Sequence, residues 1–192
     1  MTYLCTPDTF GNPMSQKVLL NAKAIDIILH RLACQLIENH NDFKNTVLIG
    51  IQPRGKFLAE RLERLLTTDY KIKDVQIGHL DITFYRDDFR RGSKPLQANT
   101  TELECEVEAK KVVFIDDVLY TGRSIRAALT AIQSFGRPSE IELLVLIDRR
   151  FSRHLPIQPD YKGRQVDAIN EEKVIVNWAE DSAEDSVYLI NN

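Results

Sequence analysis

The chain has 192 residues, 28% of them charged and 43% hydrophobic, with a formal net charge of −3. That length and balance predict a single globular domain with a core of its own. The mild negative charge excludes a molecule that attracts nucleic acid over its whole surface, so any RNA binding would need a local basic face.

The longest apolar run, "IELLVLI" at 141–147, carries a glutamate and is far too short to span a bilayer. The opening "MTYLCTPDTFGNPM" has no basic stretch followed by an apolar one, so no signal peptide is expected. Cys5, Cys34 and Cys105 lie far apart with no C-x-x-C, which argues against a disulfide framework and against a cysteine zinc site. A cytoplasmic location follows as the expectation.

In chain order, the first dozen or so residues read as irregular. Residues 21–40 place Ile25, Ile28, Leu29, Leu32, Leu36 and Ile37 on one stripe, the pattern of an amphipathic helix. "TVLIGI" (46–51) is a β-branched apolar strand ended by Pro53 and Gly55, and "KFLAERLERLL" resumes a helical period. "VQIGHLDITF" (75–84) predicts a strand, and the polar "YRDDFRRGSKPLQANT" (85–100) a long loop. "VVFID" (112–116) predicts a strand, residues 123–135 a helix with Gly136 at its C-cap, and "IELLVLID" the next strand. "KVIVNW" (173–178) reads as a late strand after a looser stretch, and "AEDSAEDS" as a solvated turn. Strands alternating with helices imply a parallel sheet covered on both faces, with ligands bound at the carboxyl ends of the strands.

Two loops fall at such ends. In "IDDVLYTGRS", Thr121, Gly122, Arg123 and Ser124 stand where a loop becomes a helix. A helix N-terminus offers unpaired N–H groups and a partial positive charge, and Gly122 allows close approach, so the segment reads as a phosphate cradle. The spacing is not that of a P-loop. Asp116 and Asp117, one short turn upstream, would repel a phosphate, so a ribose diol is the better candidate for them. The plain alternative is a strand-ending aspartate pair that caps the following helix. In "GIQPRG" (50–55), Arg54 and the N–H groups around Gly55 can grip a diphosphate. An ordinary strand-to-helix turn is the alternative there. His30, His40, His79 and His154 are scattered without ligand spacing and read as surface or packing residues.

The run "DDVLYTGRSIRAAL" resembles the PRPP-binding motif of type I phosphoribosyltransferases, and more specifically the PyrR family. Members of that family are both mRNA-binding attenuators of pyrimidine operons and uracil phosphoribosyltransferases. "GIQPRG", "GHLDITFYRDD", "GRPSEIELLVLIDR" and "LPIQPDYKG" resemble the family in the same order, so the likeness covers roughly 20–178. It implies an α/β type I phosphoribosyltransferase fold: a central, mostly parallel sheet flanked by helices, with a small hood. The whole of 1–192 would form one such domain, irregular over about 1–15 and with its hood and base-binding region over about 148–172.

The resemblance further implies transfer of ribose 5-phosphate from PRPP to uracil, giving UMP and pyrophosphate. Magnesium would travel with PRPP, held by substrate oxygens and waters rather than by a protein cage. Asp116 and Asp117 would hold the ribose hydroxyls, and the stretch Val118, Leu119, Tyr120, Thr121, Gly122, Arg123 and Ser124 the 5-phosphate. Pro53, Arg54 and Gly55 form the pyrophosphate loop, which in the family often carries a cis peptide; the family typically has threonine where this chain has Pro53. Arg86, Arg90, Arg91 and Lys94 lie on the counterpart of the flexible catalytic loop. Arg86 is the favoured catalytic cation with Lys94 as a second, and Asp87 and Asp88 are candidate partners for Arg86.

Arg149 matches a family arginine at its strand end, and Val174 a position near the base. The chain reads Asp148-Arg149-Arg150-Phe151 where the family usually has Asp-Arg-Gly-His, and one residue is added before Leu155. Tyr120 stands where purine phosphoribosyltransferases usually place an aspartate. A phenol is a poor proton carrier at neutral pH, which argues for a pyrimidine.

An mRNA hairpin and a homodimer or higher homo-oligomer are also implied. Yet where the family reads approximately Thr-Arg-x-x-His, this chain has His30-Arg31-Leu32-Ala33-Cys34, so only Arg31 matches. Other readings stay open: a nucleotide-sensing RNA attenuator whose enzyme activity is secondary, or a phosphoribosyltransferase for another base.

Overall fold

In the computed structural model of the chain, residues 16–87, 100–168 and 172–191 are described. The strands are β1 (Gln16–Asn21), β2 (Thr46–Ile51), β3 (Gln76–Leu80), β4 (Lys111–Leu119), β5 (Glu140–Arg149), β6 (Tyr161–Val166), β7 (Glu172–Asn177) and β8 (Ser186–Asn191). The α-helices are α1 (Ala22–His40), α2 (Gly55–Arg64) and α3 (Arg123–Ile132). Helix α2 continues into a π-helical turn, Leu65–Asp69.

Five strands form a parallel sheet in the order β3-β2-β4-β5-β6. Its faces are separated by the two-residue period of the strands. Leu48 of β2 and Val113 and Ile115 of β4 face one core with α1 and α2. Val47, Ile49, Val112 and Phe114 face a second core with Ile125, Ala128 and Ile132 of α3. Every residue of β2 is buried, which is why the strand reads in sequence as an unbroken apolar run. Asn21 starts α1 by accepting a bond from the Ala24 N–H at 2.9 Å.

A second, antiparallel sheet has the order β1-β8-β7. It brings Val176, Trp178 and Val187 onto the first core. The stretch 148–172, expected to form the hood, instead delivers β6 to the edge of the main sheet, and the small layer comes from segments near the two ends of the chain.

Further features differ from the sequence reading. Strand β4 runs on to Leu119, so Asp116 and Asp117 lie within it rather than at its end and just after it. Its pairing with β2 stops at Ile115, while pairing with β5 continues to Leu119. The carboxylates therefore stand where one side of the strand has lost its neighbour. Helix α3 closes at Ile132, and Gly136 follows two turn bonds, Ser134 N to Ala131 O and Phe135 N to Ile132 O. Gly136 is no helix cap: its φ is 143°, and a Cβ there would lie 3.0 Å from Val107 Cγ2. The acidic stretch after Trp178 is also more than a solvated turn, because Glu180 and Asp185 are both held by Arg61.

Candidate active site

Two cavities open at the carboxyl end of β4. One of about 230 Å³ is lined by Arg86, Asp116 and the unbroken stretch Val118 to Ile125. The other, about 160 Å³, is lined by Ile51 to Arg54, Ile82, Arg86, Asp116, Asp117, Val118 and Ser124. They share Arg86, Asp116, Val118 and Ser124. The β4–α3 loop and the β2–α2 loop, predicted separately from sequence, thus face one another across Asp116.

The first cavity is a helix N-terminus without a side-chain cap. Gly122 adopts φ 88°, a left-handed conformation that favours glycine, and its carbonyl accepts the first helical bond from the Arg126 N–H at 3.0 Å. A weak 3.4 Å contact from the Arg123 N–H to Thr121 Oγ1 is the local side-chain partner there. Unoccupied donors at a positive helix end, beside two hydroxyls, suit a phosphate.

The second cavity is shaped by close packing. A Cβ on Gly55 would lie 2.2 Å from Ile115 O, so glycine lets the start of α2 press against β4 just before the acidic pair. The Gln52–Pro53 peptide is cis. Gln52 anchors the loop, its N–H donating to Leu80 O at 3.0 Å and its Nε2 to Thr100 O at 2.8 Å. Arg54 donates from Nη1 to Val176 O at 2.9 Å, joining the loop to β7.

Burial raises the carboxyl of Asp116 well above the usual range, and the adjacent charge of Asp117 adds to it, while Arg86 opposes the rise. Asp117 is raised as well, first by burial, with Arg54 working against the shift. The Asp117 N–H donates to Asp116 Oδ1 at 2.9 Å. Two close carboxylates with raised affinity for protons favour a hydrogen-bond donor such as a sugar hydroxyl.

The remaining candidates divide. Arg86 lines both cavities. Its expected partner Asp87 goes elsewhere, lying 2.7 Å from Arg126 and 3.9 Å from Arg123 on α3. Asp88, Arg90, Arg91 and Lys94 lie outside the described residues. Arg149 and Val174 do not line these two cavities. Arg149 is buried at the end of β5, its guanidinium 4.0 Å from the centre of the Tyr120 ring and its Nη2 donating to Glu172 O at 2.9 Å. Val174 pairs with Leu189 in the small sheet and packs on the first core. Residues that sequence reasoning missed are Gln52, Asp148 and Arg153. Arg153 joins Asp148 to the Tyr120 carbonyl. Only their nearness to the motifs marked them, because Gln52 bonds to main-chain atoms and the Asp148–Arg153 pair has no periodic signature in the sequence.

A family model for the phosphoribosyl transferase domain matches residues 15–181. The bifunctional protein PyrR of Bacillus cereus is 40% identical over 175 residues, covering 90% of this chain and 96% of its own length. The PyrR protein of Enterococcus faecalis is 38% identical over 176 residues, covering 92% and 97%. The chain belongs to the PyrR family of phosphoribosyltransferases. A hypoxanthine phosphoribosyltransferase from Staphylococcus aureus has a similar fold, with a TM-score of 0.62 at 23% identity over 83% of this chain and 81% of that one. The type I fold and the phosphoribosyltransferase activity expected from the motifs are those of the family.

Proposed function

We propose that the chain transfers ribose 5-phosphate from PRPP to uracil, with the two cavities as the seats of the donor's two ends. The observation that carries this reading is the shared wall of Arg86, Asp116, Val118 and Ser124 between a phosphate cradle and a loop bearing Arg54. PRPP has one phosphate at C5 and a diphosphate at C1, with a cis diol between them. The N–H groups of residues 121–124 take the 5-phosphate, and Asp116 and Asp117 accept from the ribose hydroxyls. Arg54 and Arg86 offset the charge that grows on the departing pyrophosphate, with Lys94 a further candidate for that role.

The bond from C1 to the pyrophosphate oxygen breaks, a bond from C1 to uracil N1 forms, and the N1 proton passes to water. A ribosyl centre with oxocarbenium character needs positioning and electrostatic support more than covalent help. Two hard carboxylate oxygens bordering a diphosphate seat fit a magnesium ion that keeps substrate and water ligands. Bound magnesium supplies neutralising charge to the pyrophosphate.

Uracil as the base is supported by the PyrR relatives and by Tyr120, which lacks the carboxylate that purine enzymes usually place there. Arg149, stacked on Tyr120 and tied to β7, and Val174 on that strand belong to the base side of the site. The enzyme is proposed to work in the cytoplasm as a homo-oligomer; no helix among the described residues is long and apolar enough to cross a membrane. The test is a panel of free bases with PRPP and magnesium, followed by pyrophosphate release. Release with uracil and not with hypoxanthine or guanine is expected; release with a purine alone defeats the assignment of the base.

The relatives are named bifunctional, and RNA is the candidate second ligand. In this chain the counterpart residues are engaged internally. Arg31 donates to Lys162 O at 3.1 Å and Gly163 O at 2.6 Å, and His30 and Cys34 each lie 3.3 Å from the Tyr70 hydroxyl. These contacts favour a packing role for this face of α1 and put the enzyme reading first.

A further inference from the structure

We propose that Arg153 is a positioning residue for PRPP: its guanidinium clamps the Tyr120 carbonyl to Asp148 and so holds the phosphate loop in its receptive shape. The proposal rests on the phosphoribosyltransferase reading above and adds a residue outside the PRPP motif to it.

The clamp has a rigid end and a functional end. Asp148 is the penultimate residue of β5, fixed by ladder pairing with Leu119 on one side and Gln165 on the other. Arg153 donates from Nη2 to Asp148 Oδ1, and the two side chains are only 17% and 8% exposed. From Nη1 it donates to the Tyr120 carbonyl at 2.6 Å. Tyr120 immediately precedes Thr121, where the phosphate loop begins. One planar fork therefore ties a fixed point of the sheet to the first peptide of the cradle.

The same segment holds the loop twice more. The His154 N–H donates to Thr121 O at 3.1 Å. Leu155 and Ile157 back Gly122, where a Cβ would lie 3.5 Å from Leu155 Cβ and 3.3 Å from Ile157 Cδ1. The loop needs such support because α3 begins with no side-chain cap and Gly122 is the residue with the least conformational restraint. Main-chain donors grip a phosphate only while all point at one spot, and a shift of a fraction of an ångström weakens every bond together.

Arginine is required by the geometry. The two acceptors, one carboxylate and one main-chain carbonyl, are served by separate nitrogens, Nη2 and Nη1, which a fork provides and a single ammonium point does not. Arg153 is not itself a lining residue of the two cavities; it lines a separate cavity of about 530 Å³ with Arg150, Pro159 and Lys162. A small cation can therefore reach the clamp without entering the PRPP site.

The test uses the full chain with Arg153→Ala and Arg153→Lys. Steady-state kinetics are read alongside calorimetric binding of ribose 5-phosphate. Arg153→Ala is expected to raise the KM for PRPP and the Kd for ribose 5-phosphate about tenfold or more. The kcat should fall by less than about threefold and the KM for uracil should hold, since the loss is in binding of the phosphate end. Arg153→Lys should resemble the alanine variant, and added guanidinium ion should recover part of the lost affinity in Arg153→Ala but not in Arg153→Lys. A lysine variant with wild-type affinity overturns the clamp, as does an alanine variant that lowers thermal stability and kcat while leaving PRPP and ribose 5-phosphate affinity unchanged. If the alanine variant does not fold, the lysine variant carries the same measurement. Absence of PRPP-dependent pyrophosphate release in the wild type would overturn the reaction reading, while ribose 5-phosphate affinity still judges the clamp.

Discussion

Among the described residues, the carboxylates of Glu180 and Asp185 and those of Asp116 and Asp117 stand in opposite electrostatic conditions. Glu180 and Asp185 converge on Arg61, which donates to Glu180 from Nε and Nη2 at 2.9 and 2.7 Å and to Asp185 from Nη1 and Nη2 at 2.5 and 2.8 Å. Hydrogen bonds to that guanidinium hold both carboxyls below their ordinary range. The arginine also lies 4.7 Å from the centre of the Trp178 ring, so the cluster locks the β7–β8 connection onto α2. Asp116 and Asp117 instead repel each other, and burial pushes both carboxyls up. The charges of Arg86 and Arg54 oppose the rise, and Arg54 is bound to a β7 carbonyl. One pair is completed by the protein; the other is the pair proposed to be completed by the ribose. That difference separates a structural cluster from a site more sharply than burial or residue type does.

The largest expected effect comes from breaking the completed pair. Arg61→Met should destabilise the fold by about 3 kcal/mol, because it removes four charge-assisted hydrogen bonds to two partly exposed carboxylates and the packing of the guanidinium on Trp178. Chemical denaturation reads it, and kcat in the folded fraction should stay near wild type. A loss of activity without a loss of stability would erase the distinction between the clusters. Asp117→Asn is the mirror experiment. It removes one charge-assisted bond to the ribose, which should lower kcat/KM by about 1.5–3 kcal/mol in transition-state terms. The thermal midpoint should hold or rise, because a destabilised charge has gone. Wild-type turnover in a correctly folded Asp117→Asn protein would remove the diol site.

The two pairs should also answer pH with opposite sign. Carboxyls with depressed values contribute stability above the ordinary carboxylate range and lose it as pH falls through those values; this is the case for Glu180 and Asp185. Carboxyls with raised values contribute below the ordinary range and lose that contribution as pH rises through the raised values; this is the case for Asp116 and Asp117. Thermal midpoints of Glu180→Gln and Asp116→Asn, measured from about pH 4 to pH 7, sharpen the comparison. The first should fall increasingly below wild type as pH rises, and the second should rise increasingly above it. Parallel profiles for the two variants would contradict the opposite shifts.

Much of this contrast was legible in the sequence on one side and hidden on the other. The acidic pair and the Thr-Gly turn are contiguous, so the proposed phosphate and diol seats could be marked as candidates in the sequence. Strand β2 could be bounded at Thr46 and Ile51 because both its faces are buried and its neighbours in sequence are turn residues. Strand β6, "YKGRQV", buries only Tyr161 and Val166 and owes its form to pairing with β5, a tertiary cause that no local pattern records. The edge of β4 shows the same limit, since the residue at which β2 stops pairing is set by the other strand. Arg61 looked like one more cation on an amphipathic helix, and its partners lie 119 and 124 residues away. Contiguous chemistry is readable in sequence; long-range completion of charge is not.

The smallest expected effect concerns RNA, and it extends the comparison to the surface. Arg31 matches the family segment for the mRNA hairpin, but its guanidinium, like that of Arg61, is taken up by the protein's own acceptors, here two carbonyls of β6. The neighbouring positions hold His30 and Cys34, both turned to the Tyr70 hydroxyl. Each missing specific contact should cost about 1–3 kcal/mol of discrimination, by analogy with base readout. What remains is general attraction to phosphates by scattered lysines and arginines in a chain of net charge −3, and that falls steeply with salt. Gel shifts with a hairpin from the host's own pyrimidine leader and with a scrambled hairpin should differ by less than about threefold, with or without UMP. Arg31→Ala should loosen α1 from β6 by about 1 kcal/mol and change both affinities alike. Tight, salt-resistant, UMP-enhanced binding of the leader hairpin, abolished by Arg31→Ala, would show that this arginine leaves its carbonyls for RNA and would move attenuation to first place.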